Sequence, residues 1–581
     1  MKKVLEIPAA YSKDAPADYI ADLWNRYNSQ RQVKVNEWLE LRNYVFATDT
    51  STTSNSSLPW KNSTTLPKLC QIRDNLHSNY LSALFPNDNW LQWVGYSQED
   101  SVKEKAKAIE GYINNKTREG HFRTEMSKGL YDFIDYGNAF FTTDFENDTR
   151  EIDGETVTSF IGPRAYRISP LDIVFNPLAN SFADTFKIVR SLKTIGELKS
   201  LAKSYPDQSY WTDVLERREG LRSYMAGLSY EDYNRLEGYT MDGFGSYQEY
   251  LSSEYVEILT FYGDIHDSES GELMNNRKVV ITDRAFVAYE DDIPSWFGQA
   301  PIYHVGWRFR PDNLWAMGPL DNLVGMQYRI DHLENLKADA MDLVVHPPLK
   351  IKGDVDEFTW GPNAQIFMDE NGDVQELGQN LNGIITAQNE IQQLEDRMES
   401  FAGAPRQAMG IRTPGEKTAF EVQQLQNAAG RIFQEKITNY EIELLEPLLN
   451  AMLETSRRNM NGADVIKVTD SETGLAVFQQ ITKEDITSRG VLRPVGARHF
   501  AQQAQDIQNL SQTLNGPLGQ LIMPHTSGKQ LAKFIENSFS LEAWGIFSPN
   551  VAIDEQQETQ AQMNQAQEDN EVAASGPTED F

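Results

Sequence analysis

The sequence predicts an α+β protein, and three observations carry that prediction. Residues 16–46 place Ile20, Leu23, Trp24, Tyr27, Val35, Trp38, Leu41 and Val45 at helical spacing on one face. Tyr255 to Tyr262 and Lys278 to Tyr289 alternate apolar with polar residues around Asp267-Ser-Glu-Ser-Gly271, as a β-hairpin does. Residues 318–459 read as a helix, a small strand-rich insert, a second helix, a Gly/Pro loop and one very long helix.

Along the N-terminal half, Pro67–Leu84 is a second helix, ended by Phe85-Pro86-Asn87-Asp88. Ser/Thr/Asn-rich residues 48–65 before it read as a loop. Ser101–Gly120 and Phe122–Tyr136 are two more helices, with Gly137-Asn138 as a turn. Ala139–Asp144 and Thr156–Ile161 are strands around an acidic hairpin, and Asp172–Pro177 is a short buried strand. Residues 195–245 are polar and helical in part, and Pro301–Trp307 is a further strand.

From Gly318 to Val345 the apolar stripe is Leu320, Leu323, Met326, Ile330, Leu333, Leu336, Ala340 and Leu343, and Pro347-Pro348 stops it. A second helix spans about 386–401. The loop 403–417 carries Arg406, Arg412 and Lys417 in an otherwise acidic chain. Thr418-Ala-Phe-Glu421 is a capping box that opens the long helix to Asn459, and Pro447 inside it predicts a kink. Short strands follow at Val465–Val468 and Ala476–Ile481, then helices at 501–514 and 528–539. From about residue 549 the chain is rich in Gln, Glu, Asn and Asp, the composition of a disordered tail.

The bulk numbers exclude several classes. With 581 residues, 40% hydrophobic and 11% aromatic, the chain can bury a large core. A net charge of −32 opposes nucleic-acid binding by the surface as a whole. The one cysteine, Cys70, rules out an internal disulfide framework, and a packed thiol is its expected role. Glu6 and Pro8 break an N-terminal run that otherwise opens like a signal peptide, and no run of 18 apolar residues predicts a membrane span.

Motifs of chemistry are scarce. Gly410 to Thr418 has the outline of a phosphate-binding loop, but Glu416 separates Gly415 from Lys417 and would set an anion against the phosphate. No metal, nucleophile-elbow or dinucleotide motif occurs, so no cofactor and no metal are expected, and His332 and His346 read as structural. Carboxylate pairs such as Asp291-Asp292 carry little weight among 85 acidic residues. Trp60, Trp90, Trp93, Trp296, Trp307 and Trp315 read as core and interface anchors.

The run from Trp307-Arg-Phe-Arg-Pro-Asp-Asn-Leu-Trp-Ala-Met-Gly-Pro-Leu-Asp-Asn322 into Gln327-Tyr-Arg-Ile-Asp-His-Leu-Glu-Asn-Leu-Lys-Ala-Asp339, His346-Pro-Pro-Leu-Lys350 and Pro414-Gly-Glu-Lys-Thr-Ala-Phe-Glu421 resembles the portal (head-to-tail connector) proteins of tailed bacteriophages, the short-tailed kind especially. The strongest match covers about 300–455, and the flanks agree in element order.

The resemblance implies a portal fold: wing 1–317, first stem helix 318–346, small α/β clip 347–385, second stem helix 386–402 and channel (tunnel) loop 403–417. The long wing helix and C-terminal wing would span 418–489, a helical crown 490–548 and the tail 549–581. It implies a non-enzymatic dodecameric ring at one capsid vertex, a conduit for double-stranded DNA in packaging and ejection. Its partners would be copies of itself, major capsid and scaffolding proteins, the large terminase subunit and then the tail adaptor. It would act in the virion, and in the host cytoplasm during assembly, with no membrane partner.

Arg406, Arg412 and Lys417 would then touch passing DNA, while Leu323, Ile330, Leu333, Leu336 and Leu343 pack the stem and the oligomer. Two other classes stay open on the residues alone. One is another virion structural protein such as a tail adaptor. The other is a hydrolase with an acidic cleft.

Overall fold

The computed structural model describes residues 5–7, 15–46, 62–85, 90–95, 100–152, 155–204, 213–218, 254–267, 271–353, 367, 372–376, 382–402, 432–460, 462, 464–469, 476–487 and 489–494. The loop with Arg406, Arg412 and Lys417, the capping box, the 501–514 and 528–539 helices and the tail lie outside them, as does most of the crown. The chain divides into two units, one of 1–87, 116–460 and 491–494, the other of 88–115, 461–490 and 495–581.

In the first unit, β1 (Leu5–Ile7) precedes α1 (Ala15–Val45) and α2 (Lys68–Leu84). In the second, β2 (Leu91–Gly95) leads to α3 (Asp100–Glu119), whose last turn returns the chain to the first unit. There follow α4 (Phe122–Asp135), β3 (Asn138–Ile152), β4 (Glu155–Ile168), β5 (Ile173–Phe175), β6 (Lys187–Thr194), α5 (Ile195–Ser204), β7 (Tyr255–Asp267), β8 (Leu273–Thr282), β9 (Phe286–Asp292), β10 (Ile302–Gly306), β11 (Arg308–Arg310) and β12 (Asn313–Met317).

The main sheet runs β5-β6-β7-β8-β9, with β1 parallel to the end of β7. That slot exists because β7 overruns β6: β6 ends its pairing at Tyr262, and β1 takes Ile265 to Asp267. The sheet is covered on both faces. Leu259, Phe261, Val279 and Ile281 meet Ile20, Leu23 and Trp24 of α1. Val256, Ile258, Val280 and Ala288 meet Leu198 of α5 and Val214. The two-residue alternation of β7 and β8 thus fills two cores, and both faces exclude water.

The sequence-based reading took 278–289 as one strand, but the chain turns inside it. Asp283 and Arg284 adopt left-handed φ of 51° and 53°, the geometry of a tight hairpin turn without the usual glycine. Buried charges hold them there. Arg284 makes two bonds to Glu257, at 2.7 and 2.8 Å, and Arg218 meets Asp283 at 3.1 Å. A long-range partner for each turn residue outweighed the local cost.

A second sheet runs β10-β3-β4. The β3–β4 hairpin is far longer than the expected 139–144 and 156–161 strands, because pairing continues through polar residues beyond the core, with a bulge between Asp148 and Thr149. At Gly129 of α4 a Cβ would lie 2.2 Å from the Phe141 ring, so helix and sheet meet at backbone distance. Gly137 turns at φ +69° against the backbone of Met317 and Gly318, as the expected Gly137-Asn138 turn requires.

Beyond β12 lie a 3-10 turn at Asp321–Leu323, α6 (Val324–Val345), the hairpin of β13 (Leu349–Lys352) with β14 (Asp373–Glu376), and α7 (Asn382–Phe401). The long helix is described over 432–459 as a stretch at 432–440, a π-helical turn at Glu441–Leu445 and α8 (Glu446–Asn459). A kink is expected at Pro447; the structure shows a π-helical turn at Glu441–Leu445 just before the proline, with the helical backbone continuing through Leu445 and Glu446. In the second unit β15 (Asp464–Thr469) pairs antiparallel with β16 (Ala476–Ile481), as the sequence predicts. The mixed helix and strand content is that of an α+β protein.

Candidate functional site

The pair α6 and α7 with its hairpin is the feature the sequence singled out, and it stands in the structure. Arg329 meets Glu390 at 3.3 Å, while Lys337 donates to Gln388 at 2.8 Å. As α6 advances, its partners on α7 recede toward the N-terminus, so the helices are antiparallel. β13 follows α6 and its partner β14 precedes α7 in the chain.

The expected packing residues divide in two. Leu323, Ile330 and Leu333 are buried inside this chain, while Leu336 and Leu343 are half-buried. Toward the hairpin the apolar surface opens. Met341 (46% exposed), Val345 (64%), Ile351 (53%) and Ile385 (60%) all lie near that end.

A second face of α6 escaped the sequence reading. Gln327, Asp331, Asn335 and Asp339 recur every fourth residue and are all buried. They bind the extended segment before α2 through its backbone. Asp339 Oδ1 accepts from Asn62 N at 2.8 Å, Asn335 Oδ1 from Thr64 N at 2.7 Å, Asp331 Oδ1 from Leu66 N at 2.9 Å and Gln327 Oε1 from Leu69 N at 3.2 Å. Gln327 Nε2 donates back to Leu66 O at 2.6 Å and to Asp331 Oδ1 at 2.8 Å.

The match is geometric. Two residues of extended chain rise about 6.6 Å and four residues of helix about 6.0 Å, so the alternate amides of 62, 64 and 66 meet successive turns, and Leu69, in the first turn of α2, meets the remaining one. Burial pushes the Asp331 carboxyl above the usual carboxylate range, against the Leu66 and Gln327 N–H groups that donate to it. A search for apolar periodicity passes over such a ladder; the signal was present as polar residues at strict four-residue spacing.

Two ion pairs fix the base of the helices. Lys68, at the start of α2, meets Glu399 of α7 at 2.6 Å, both side chains 7% exposed, with Glu395 at 3.9 Å. Lys34 of α1 meets Asp321 at 3.0 Å, just before α6. Buried pairs of this kind set geometry more than they add stability. Through them the helix pair is referenced to α1 and α2 within the same unit.

Of the tryptophans expected as anchors, Trp90, Trp93 and Trp307 are buried and Trp315 is half-buried, whereas Trp296 is exposed and Trp60 lies outside the described residues. Cys70 is half-buried rather than in the core, with its Sγ 3.8 Å from Asp74. No helix among the described residues is long and apolar enough to cross a membrane. No family model matches the chain, and no curated protein matches it.

Proposed function

We propose that this chain is the subunit of a bacteriophage portal: a dodecameric ring at one capsid vertex through which double-stranded DNA is packaged and later ejected. The observation that carries the reading is the antiparallel pair α6 and α7 with a small β-hairpin at its far end. That arrangement supports the stem-and-clip assignment to which the 307–350 and 414–421 residues pointed. Met341, Val345, Ile351 and Ile385 support it further. Together they expose apolar surface at the hairpin end of the helix pair among the described residues, which neighbouring copies in a ring would cover.

In this reading the ring does mechanical work and no chemistry. The hairpin end receives the terminase motor and then the tail adaptor. Arg406, Arg412 and Lys417 ring the duplex as weak phosphate contacts, while the charge of −32 per copy keeps the wall from gripping it. Class averages of the purified protein by electron microscopy test this. Twelve-fold rings, or rings of neighbouring symmetry, with a hole wide enough for a duplex of about 20 Å agree with the reading. A monodisperse monomer at high concentration overturns it.

A further inference from the structure

The turn between β9 and β10 holds two large aromatic side chains in water. Trp296 is 62% exposed and Phe297 56%. Slackness does not explain this, because the turn is pinned at nearly every residue. Ile293 N donates to Asn276 O at 2.7 Å, Ser295 N to Ile293 O at 2.8 Å and Gly298 N to Ser295 O at 3.2 Å. Phe297 N donates to Ser295 Oγ at 3.2 Å, and Trp296 N to Glu454 Oε1 of α8 at 3.0 Å. Gly298 closes the turn at φ +63°. A turn whose backbone is already pinned needs no ordering of the chain to present its aromatics, which lowers the cost of using them as interface anchors. Its flank sets Glu290, Asp291 and Asp292 against Arg277 and Lys278: Arg277 bonds Glu290 and Asp292, while the exposed Asp291, across the strands from Lys278, accepts from Tyr289 Oη and the Asp292 N–H.

The same chain carries a receptor of complementary chemistry. A cavity of about 330 Å³ lies among α1, α2 and α4. Trp38 and Tyr131 line it, and Phe46 and Lys128 stand exposed at its edge. Four cations line it, Arg42, Arg73, Lys128 and Arg167, against two anions, Asp132 and Asp135. Arg73 and Arg167 each take one of those carboxylates with two bonds, and Lys128 meets Glu125. Arg42 has no ion pair among the described residues. The indole N–H of Trp38 has no acceptor there. The space corresponds to about ten waters, room for more than one aromatic ring.

We propose that the Trp296–Phe297 turn of one copy seats in this cavity of a second copy, with the carboxylates beside the turn facing Arg42, the lining cation that has no ion pair among the described residues. Turn and cavity share no residue, so each copy can give one and accept one. That is a head-to-tail contact, the kind that closes a ring. The proposal rests on the self-assembly read above and names a surface that drives it.

The test uses the full chain. In the Trp296→Ala/Phe297→Ala variant, both truncated side chains are exposed, so the subunit folds as before and its far-ultraviolet circular dichroism stays that of the wild type. Its ring fraction on a sizing column falls about tenfold or more, the usual cost of losing an aromatic anchor. In a Cys70→Ser background, Gln299→Cys with Lys128→Cys gives a covalent ladder with a short bis-maleimide, and neither substitution alone does.

If the wild type forms rings and the double alanine variant forms them equally, this inference falls and the ring reading stands. If the alanine variant fails to assemble but no ladder appears, the cavity is the wrong receptor and the pairing is overturned. A wild type that never assembles removes the ring reading itself.

Discussion

Replacing Gln327 by methionine isolates what the polar ladder contributes. Methionine keeps the length and volume of the side chain, so no cavity is opened. It removes three bonds: the acceptor for Leu69 N at 3.2 Å and the donors to Leu66 O at 2.6 Å and Asp331 Oδ1 at 2.8 Å. At about 1 kcal/mol net for each bond, the segment 62–69 loses about 2–3 kcal/mol of local stability. The Leu66 carbonyl and Leu69 amide are then buried against a thioether, which keeps the loss toward the upper figure.

Global unfolding is the wrong assay, because a chain of 581 residues in two units will not melt in one step. Hydrogen exchange of peptides covering 62–69 reads the local equilibrium directly. Protection there is expected to fall about 30- to 150-fold, at about 1.4 kcal/mol per decade, while peptides from β7 and β8 keep theirs. Wild-type protection in Gln327→Met would mean that the segment is held by packing alone, and the ladder argument would fail.

Three further outcomes can be measured. Leu336→Asp or Leu343→Asp, each putting a charge on a half-buried stem position, should abolish ring assembly while leaving soluble, partly folded chain; intact rings on a sizing column would count against the stem assignment. Replacing Arg406, Arg412 and Lys417 together by Gln should change DNA packaging or retention, and no change in either would refute their contact with the duplex. His304 is fully buried against Phe140 and bonded to Asn138, and burial, with Lys187 nearby, pushes its imidazole down to about 3. Its folded value lies below its unfolded value, so stability is fully present above about pH 6.5 and lost as pH falls toward 3, at about 1.4 kcal/mol per unit. Hydrogen-exchange protection of peptides from β3 and β10, corrected for the intrinsic rate at each pH, should therefore decline faster with acid below pH 6.5 in the wild type than in His304→Gln, and parallel declines would refute the assignment.

Sequence by itself determined the elements whose signal is local. The apolar face of α1, the ends of α2, the 476–481 strand and the α6–hairpin–α7 order all follow from spacing, proline stops and turn residues, since one face of each must leave water. Chain neighbours could not decide the rest. The turn at Asp283-Arg284 needs Glu257 and Arg218, 65 residues away in the second case, to hold it. β3 and β4 lengthen because each supplies the other's hydrogen bonds. The α6 ladder is four polar residues until an extended segment some 270 residues earlier brings them its amides. Trp296 and Trp307 are the same residue type near strand ends, yet Trp307 has Tyr80 to receive its N–H at 3.1 Å and lies buried, while Trp296 is held out in water. Periodicity records which faces leave water; which distant backbone or charge meets a given polar group is decided only when the chain is folded, because that free energy exists only between the two partners.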